Sequence, residues 1–361
     1  MERKNKSALT IGNSSKELFK AAGYLSLSNK IIYGEIESLF NEAFYLINSK
    51  HLQRGEENFL LNLELNKNYH NQSNFKFEAK KEIDTKNAIS ILDSIIDLKS
   101  DHIYSFLYRA MAKVSLEYYD EALSDYTKAI QLDSNFSIAF NGRGILKKRL
   151  GDYSGAENDL NKAIEIDPNY SNAYMNRGVL KNKLNDKEGA LSDYTKAINL
   201  NPDNPIKYRY RGNIKFDLND YNGAIDDLTK AILLNQNYVD AYMLRGDIFF
   251  KRKKEYDKAI EDYTKVMEIE PDNERGIVLR RGICYFRIGY HNNAIADFTK
   301  DIEYYPDNDT AFLMRAKSKE RTFDYSGALD DYTKAIEIAP GDEDANNSRR
   351  KLLEYIANKL S

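Results

Sequence analysis

The hexapeptide Asp-Tyr-Thr-Lys-Ala-Ile begins at Asp125, Asp193 and Asp331, and close variants begin at Asp159, Asp227, Asp262 and Asp297. Successive starts lie 34, 34, 34, 35, 35 and 34 residues apart. A second marker, Arg followed by Gly or Ala, precedes each by sixteen or seventeen residues, at Arg109, Arg143, Arg177, Arg211, Arg245, Arg281 and Arg315. Two markers that keep one register through seven units restrict the chain to an array in which one supersecondary unit recurs and each copy packs on its neighbours.

Each unit reads as a helical hairpin. In the second, Phe140, Gly144, Leu146 and Leu150 follow a helical apolar spacing, Gly151-Asp152 interrupts it, and Ala156, Leu160, Ala163 and Ile164 resume it until Asp167-Pro168-Asn169. The small residues Gly144 and Ala156 suit a close helix crossing, because a larger side chain would force the helices apart. Only 6 prolines and 18 glycines occur in 361 residues, as long helices with few irregular loops require. With 30% charged residues and a mean hydropathy of -0.65, the chain is too polar for one compact core and suits a thin array with a charged exterior.

The units resemble tetratricopeptide repeats, whose pattern of an aromatic residue, Leu-Gly, then Ala with an aromatic and Pro further on is met by Tyr174, Gly178, Ala190, Tyr194, Ala197 and Pro202. Tyr208, Gly212, Ala224, Leu228 and Ala231 repeat it, and the likeness covers about residues 103–341. The resemblance implies an all-α, right-handed α-solenoid or superhelix of helix-turn-helix repeats. Two departures stand out. The leucine before Gly is Arg in every unit, and a tyrosine later in the first helix is replaced by Lys113, Lys147, Lys181, Lys215 and Lys319. The register also slips by one residue on each side of the fifth unit, and the first extra residue, beside Lys251-Arg252-Lys253-Lys254, is expected to lengthen a turn.

Upstream, Ala88, Leu92 and Ile95 hold the same register, so residues 69–102 read as a degenerate repeat with a short partner helix around Phe75–Ile83. Residues 1–68 read as an N-terminal helical segment that a further diverged hairpin would fit, with an amphipathic run of Ile36, Leu39, Phe40, Ala43 and Ile47. Residues 342–361 read as a capping helix with Ala345, Leu352, Leu353, Ile356 and Leu360 on one side, which a solenoid needs to cover the apolar face of its last repeat.

The complete columns favour structure over chemistry. The seven arginines face seven aspartates one hairpin away, which is what ion pairs within each repeat would leave. Lys128, Lys162, Lys196, Lys230, Lys265, Lys300 and Lys334 each follow an aspartate by three residues, the spacing of an ion pair along one helix. Tyr126, Tyr194, Tyr263 and Tyr332 fall in a packing slot and read as core.

Function classes narrow accordingly. A net charge of -3 gives no global pull toward nucleic acid or anionic membrane. No stretch approaches the length and apolarity of a membrane span, the N-terminus lacks an apolar signal region, and the simplest address is cytoplasmic. The single cysteine, Cys284, rules out an internal disulfide and a four-cysteine metal site. It lies on a packing face with no histidine beside it, His291 occupies a turn slot, and there is no phosphate loop. No catalytic residue, metal or cofactor is therefore expected.

The resemblance implies that the first helices line a concave groove and that positions the pattern leaves free there face a protein or peptide partner. These are Asn172, Met175 and Val179; Arg209, Asn213 and Phe216; Asp240, Met243, Asp247 and Phe250; and Leu279, Ile283 and Phe286. Their large apolar members suggest an extended patch, with Arg209, Asn213 and Asp247 setting register. Family members that grip acidic chaperone tails use a fuller Lys, Asn and Arg set; Arg209 and Asn213 resemble its opening, but Leu244, Gly276 and Arg280 leave it incomplete. The expected function is a non-enzymatic protein-interaction scaffold. The alternative is a regulatory or self-assembly module whose groove holds its own N-terminal segment, which leaves homo-oligomerisation open.

Overall fold

A computed structural model describes residues 75–271 and 276–360. Every described element is helical, and the chain divides into two compact units between Leu180 and Lys181. The fold class is an all-α helical-repeat solenoid. The first unit holds α1 (Phe75–Leu98), the hairpin α2 (Ile103–Ser115) with α3 (Tyr119–Leu132), the hairpin α4 (Ser137–Leu150) with α5 (Tyr153–Ile166), and α6 (Ser171–Lys183), whose last turn crosses the division. The second unit holds α7 (Lys187–Leu200), α8 (Pro205–Asp217) with α9 (Tyr221–Leu234), α10 (Val239–Ile248) with α11 (Tyr256–Ile269), α12 (Ile277–Arg287) with α13 (His291–Tyr304), and α14 (Asp309–Arg321) with α15 (Tyr325–Ile338). The helix α16 (Glu343–Leu360) closes it. From α1 to α5, and from α7 to α16, each helix packs on the one before it and the one after it.

The turn inside each hairpin explains the Gly-Asp break in the sequence. The first helix ends on a residue in the left-handed region, at Glu117, Gly151, Asn185, Asn219, Lys254, Gly289 and Phe323, with φ between 55° and 89°. That residue stops one helix, and the next starts the other. Asp152, Asp186, Asp220 and Asp324 accept hydrogen bonds at 2.9–3.0 Å from the backbone N–H of Gly155, Gly189, Gly223 and Gly327, capping the second helices.

The core is built from the slots that recur. Tyr126, Leu160, Tyr194, Leu228, Tyr263, Phe298 and Tyr332 are fully buried on the second helices. Burying one such side chain contributes about 1.5–3 kcal/mol before entropic costs. The helices cross where the sequence supplies glycine: a Cβ on Gly144 would lie 3.0 Å from Leu160 Cγ and 3.2 Å from the Ala156 carbonyl oxygen.

Three expectations are corrected. No break separates residues 75–83 from the helix that follows, because α1 runs unbroken over 24 residues. The extra residue of the fifth unit does not lengthen a turn: α10 widens into a π-helical turn, Phe249–Lys253, and Lys254 then takes the same left-handed slot that Asn219 takes in the unit before. The second extra residue falls in a stretch that includes 272–275, outside the described residues. In α16, Ala345 and Leu352 are buried against α14 and α15, but Leu353 is 41% exposed, on a side of α16 turned away from that cluster. Residues 1–74, with the amphipathic run at Ile36–Ile47, lie outside the described residues.

Candidate functional site

The arginine column forms a latch across three helices. In six units the Nε and Nη2 of Arg109, Arg143, Arg211, Arg245, Arg281 and Arg315 donate as a fork to both carboxylate oxygens of Asp125, Asp159, Asp227, Asp262, Asp297 and Asp331, at 2.5–3.0 Å. The remaining Nη1 reaches back to the preceding repeat, donating to Thr127, Thr195, Thr229, Thr264 and Thr299 from Arg143, Arg211, Arg245, Arg281 and Arg315. Asp93 accepts from Arg109 and Asn161 from Arg177 in the same way. All but one of these guanidiniums lie 5.4–5.8 Å from the ring three residues earlier, as Arg143 does over Phe140 and Arg245 over Tyr242, and Arg281 lies 5.7 Å from the ring of Tyr285. Arg thus replaces the family's leucine by adding a planar fork without giving up apolar contact.

The lysine departure belongs to the same device. Lys113, Lys147, Lys181, Lys215 and Lys319 place Nζ 2.8–2.9 Å from Asp125, Asp159, Asp193, Asp227 and Asp331. Asp125, Asp159, Asp227 and Asp331 therefore each hold two cations. Units five and six have Phe249 and Tyr285 in that slot. Without a lysine, burial pushes the Asp262 carboxyl above its ordinary range, partly opposed by Arg245.

The second lysine column is corrected. Lys162, Lys265 and Lys334 pair forward along their own helices with Glu165, Glu268 and Glu337 at 2.6–3.1 Å, and not back to the aspartates, which the first helices already hold.

The expected partner face is less free than the pattern implied. Met175 is buried, 1% exposed, and Asn172 and Val179 are half-buried. Phe216, Phe250 and Phe286 pack on the first residue of their own second helix, with ring centroids 5.8 Å from Tyr221, 6.2 Å from Tyr256 and 5.5 Å from His291. They staple the hairpin turns. Met243 is half-buried against the core of the second unit. Charged members are engaged with one another: Arg209 lies 3.9 Å from Asp240, and Asp247 accepts from Tyr263 Oη at 2.7 Å, Arg280 at 3.1 Å and Lys251 at 3.2 Å. Burial and the Asp247 carboxylate hold the Tyr263 phenol far above its ordinary pKa, so it stays a donor. Arg280 is consequently not available to complete a carboxylate clamp.

These contacts still define a surface. Arg209–Asp240 joins α8 to α10 and Asp247–Arg280 joins α10 to α12, so consecutive first helices in the second unit present one shared face. Asn213, Leu279 and Ile283 are half-buried on those helices. The Cys284 thiol is buried and pushed up to about 12 by desolvation, with Asp247 and Asp297 adding to the shift, which keeps it protonated. Among the described residues no group of His, Cys, Asp or Glu could hold a metal ion, and no helix is long and apolar enough to cross a membrane.

Family models agree with the repeat geometry. One described as a TPR repeat matches residues 212–252, one described as a tetratricopeptide repeat matches 171–204, and a second of that description matches 107–136, 139–170 and 239–273. The matched residues are tetratricopeptide repeats. No curated protein matches it in sequence. Among solved structures, YrrB, described as a TPR protein with an unusual peptide-binding site, is 24% identical over 53% of this chain and 97% of its own, with a TM-score of 0.50. MamA is 30% identical over 44% of this chain and 92% of its own, with a TM-score of 0.42. A tetratricopeptide repeat protein from Parabacteroides merdae is 20% identical over 70% and 98%, with a TM-score of 0.46. The sixth and seventh tetratricopeptide repeats lie beyond the matched residues, and the Arg281–Asp297 and Arg315–Asp331 forks carry the same geometry into them.

Proposed function

We propose that the face shared by α8, α10 and α12 binds an extended peptide or a helix of a partner protein, and that the chain works as a non-enzymatic interaction scaffold. One observation carries this reading: Leu279 and Ile283, with Met243 beside the core, stay half-buried on a face whose flanking charges, Asp240, Asp247, Arg209 and Arg280, are already held in place by each other. Such a face offers apolar anchors on a rigid frame, and a rigid array loses little conformational entropy on binding. YrrB's described peptide-binding site is in keeping with this use of the fold. The fixed charges set the polarity of the rim, and the apolar side chains supply the area a ligand would cover.

The test is selection from a displayed library of about 12-residue peptides, long enough to span such a face as extended chain, followed by affinity measurement on the native chain and on a Leu279→Asp, Ile283→Asp double variant of unchanged helicity. Selected peptides should bind the variant at least about tenfold more weakly, a loss of about 1.4 kcal/mol. Equal affinity for both proteins would remove this face as the binding site.

A further inference from the structure

The π-helical turn of the fifth unit forms a second surface, on the hairpin-turn edge and apart from the face just described. The extra residue brings Lys251, Arg252, Lys253 and Lys254 together at the end of α10, with Arg252 and Lys254 exposed. Only Lys251 of the four has an anionic partner, Asp247; among the described residues no carboxylate pairs with Arg252, Lys253 or Lys254. Arg252 is nonetheless positioned. Its guanidinium carbon lies 5.8 Å from the centroid of the Phe216 ring and 5.6 Å from that of Tyr221, both in the preceding repeat.

An arginine held by two rings but with no carboxylate on its donors is a prepared fork for an oxyanion. The latch arginines of this chain show the contrast, since each of the six described forks already closes on an aspartate. Arg287 and Arg321 extend the cationic edge to the next two hairpins, where neither is ion-paired among the described residues, and Arg321 lies close enough to His291 to help lower its pKa, after the larger effect of burial. Large apolar side chains alternate with these charges: Tyr290 is 59% exposed and Phe323 77%. π-Turns recur at functional sites.

We propose that this edge, centred on Arg252 with Lys253 and Lys254, docks a carboxylate-rich segment of another protein, with Tyr290 and Phe323 offering apolar contact to aromatic residues in the same segment. The chain's own residues 1–74 are a poor match, since their longest acidic run is Glu56-Glu57. Carboxylates spaced along an extended peptide fit a row of cations on successive repeats, whereas stacking every base of a nucleic acid would call for more exposed rings than these two.

The experiment is fluorescence anisotropy with the full chain and a labelled 12-residue peptide alternating Asp or Glu with Phe or Tyr, beside its Asn/Gln counterpart and a single-stranded oligouridine of matching length. The acidic peptide should bind, its neutral counterpart should not, and affinity should fall as salt is raised from about 50 to about 200 mM. Arg252→Glu and a Lys253→Glu, Lys254→Glu double variant should each weaken binding about tenfold or more, and Arg252→Lys should weaken it less than Arg252→Glu, since it keeps charge without the fork. The Leu279→Asp, Ile283→Asp variant should bind the acidic peptide as the native chain does, which separates this edge from the helix face. Unchanged affinity in the charge-reversed variants, no binding of the acidic peptide at low salt, or tighter binding of oligouridine would each overturn the assignment.

Discussion

Asp301 sits where the other units have Ala129, Ala163, Ala197, Ala231, Val266 and Ala335, and it is buried and accepts a hydrogen bond from Asn308 Nδ2 at 2.6 Å. Burial raises its pKa, against the smaller opposing effect of Asn308. A carboxyl whose folded pKa lies above its unfolded value favours folding while protonated, and that contribution is lost as pH rises through the folded pKa. When ionised, the group is therefore a desolvated charge with no cation paired to it among the described residues. Asp301→Asn should raise Tm at pH 7 by a few degrees, about 1 kcal/mol, and by less near pH 4, since burial raises the carboxyl's pKa and acid moves it toward its neutral form. A gain equal at both pH values, measured by calorimetry, would show that charge burial is not its source. The same scale shows what a one-dimensional reading of the candidate site lacked. Spacing left Phe216, Phe250 and Phe286 outside the repeat pattern, but the residues they meet, Tyr221, Tyr256 and His291, follow five or six residues later across a turn whose geometry spacing does not give. The arginine and aspartate columns were legible because both halves recur in all units. The threonine acceptors recur too, inside the hexapeptide, and their role could have been found by noting that each stands sixteen or seventeen residues before the next arginine.

At the level of the hairpin, the turn tolerates one backbone conformation and many side chains. Gly151 and Gly289 take it freely, Asn185 and Asn219 take it at modest cost, and Phe323 adopts φ 64° with a bulky side chain. Phe323 is also exposed, touching Tyr325 edge-on at 6.3 Å, so packing does not require it. Phe323→Gly removes the left-handed strain of a β-carbon but adds unfolded-chain entropy, and the first effect is the larger for a bulky residue at positive φ. The variant should gain up to about 1 kcal/mol, read as a rise in the midpoint of urea unfolding with unchanged slope. If the midpoint falls, the ring contributes more through Tyr325 than its exposure suggests. Helix ends and turns were legible here because Gly, Asn and Asp mark them chemically. The π-turn was not, because one extra residue can enter a turn or a helix, and Lys254 carries no signal of the left-handed slot it fills.

For the array as a whole, the last described helix departs from the repeat pattern in an instructive way. Helix α16 keeps the latch to the repeat before it, since Arg349 Nε donates to Thr333 Oγ1 at 3.0 Å, the same sixteen-residue relation as Arg315 to Thr299. The next position breaks the pattern. Where the seven repeats have Ala110, Gly144, Gly178, Gly212, Gly246, Gly282 and Ala316 at the helix crossing, α16 has Arg350, exposed and paired with Glu354 at 3.1 Å. A second helix could not cross closely over that side chain, so α16 receives the apolar face of the last hairpin without offering the small-residue crossing of the repeats. Its loss should uncover Phe312, Ala316, Tyr332 and Ala335, which pack with Ala345 and Leu352. In a nearest-neighbour array the damage should be graded with distance. A chain ending at residue 342 should lose amide-exchange protection first in α14 and α15, while α8 and α9 keep theirs. Uniform loss through the second unit would show one cooperative block instead of coupled repeats, and full retention would mean that the Arg349 latch and its apolar contacts add nothing to the hairpin they cover.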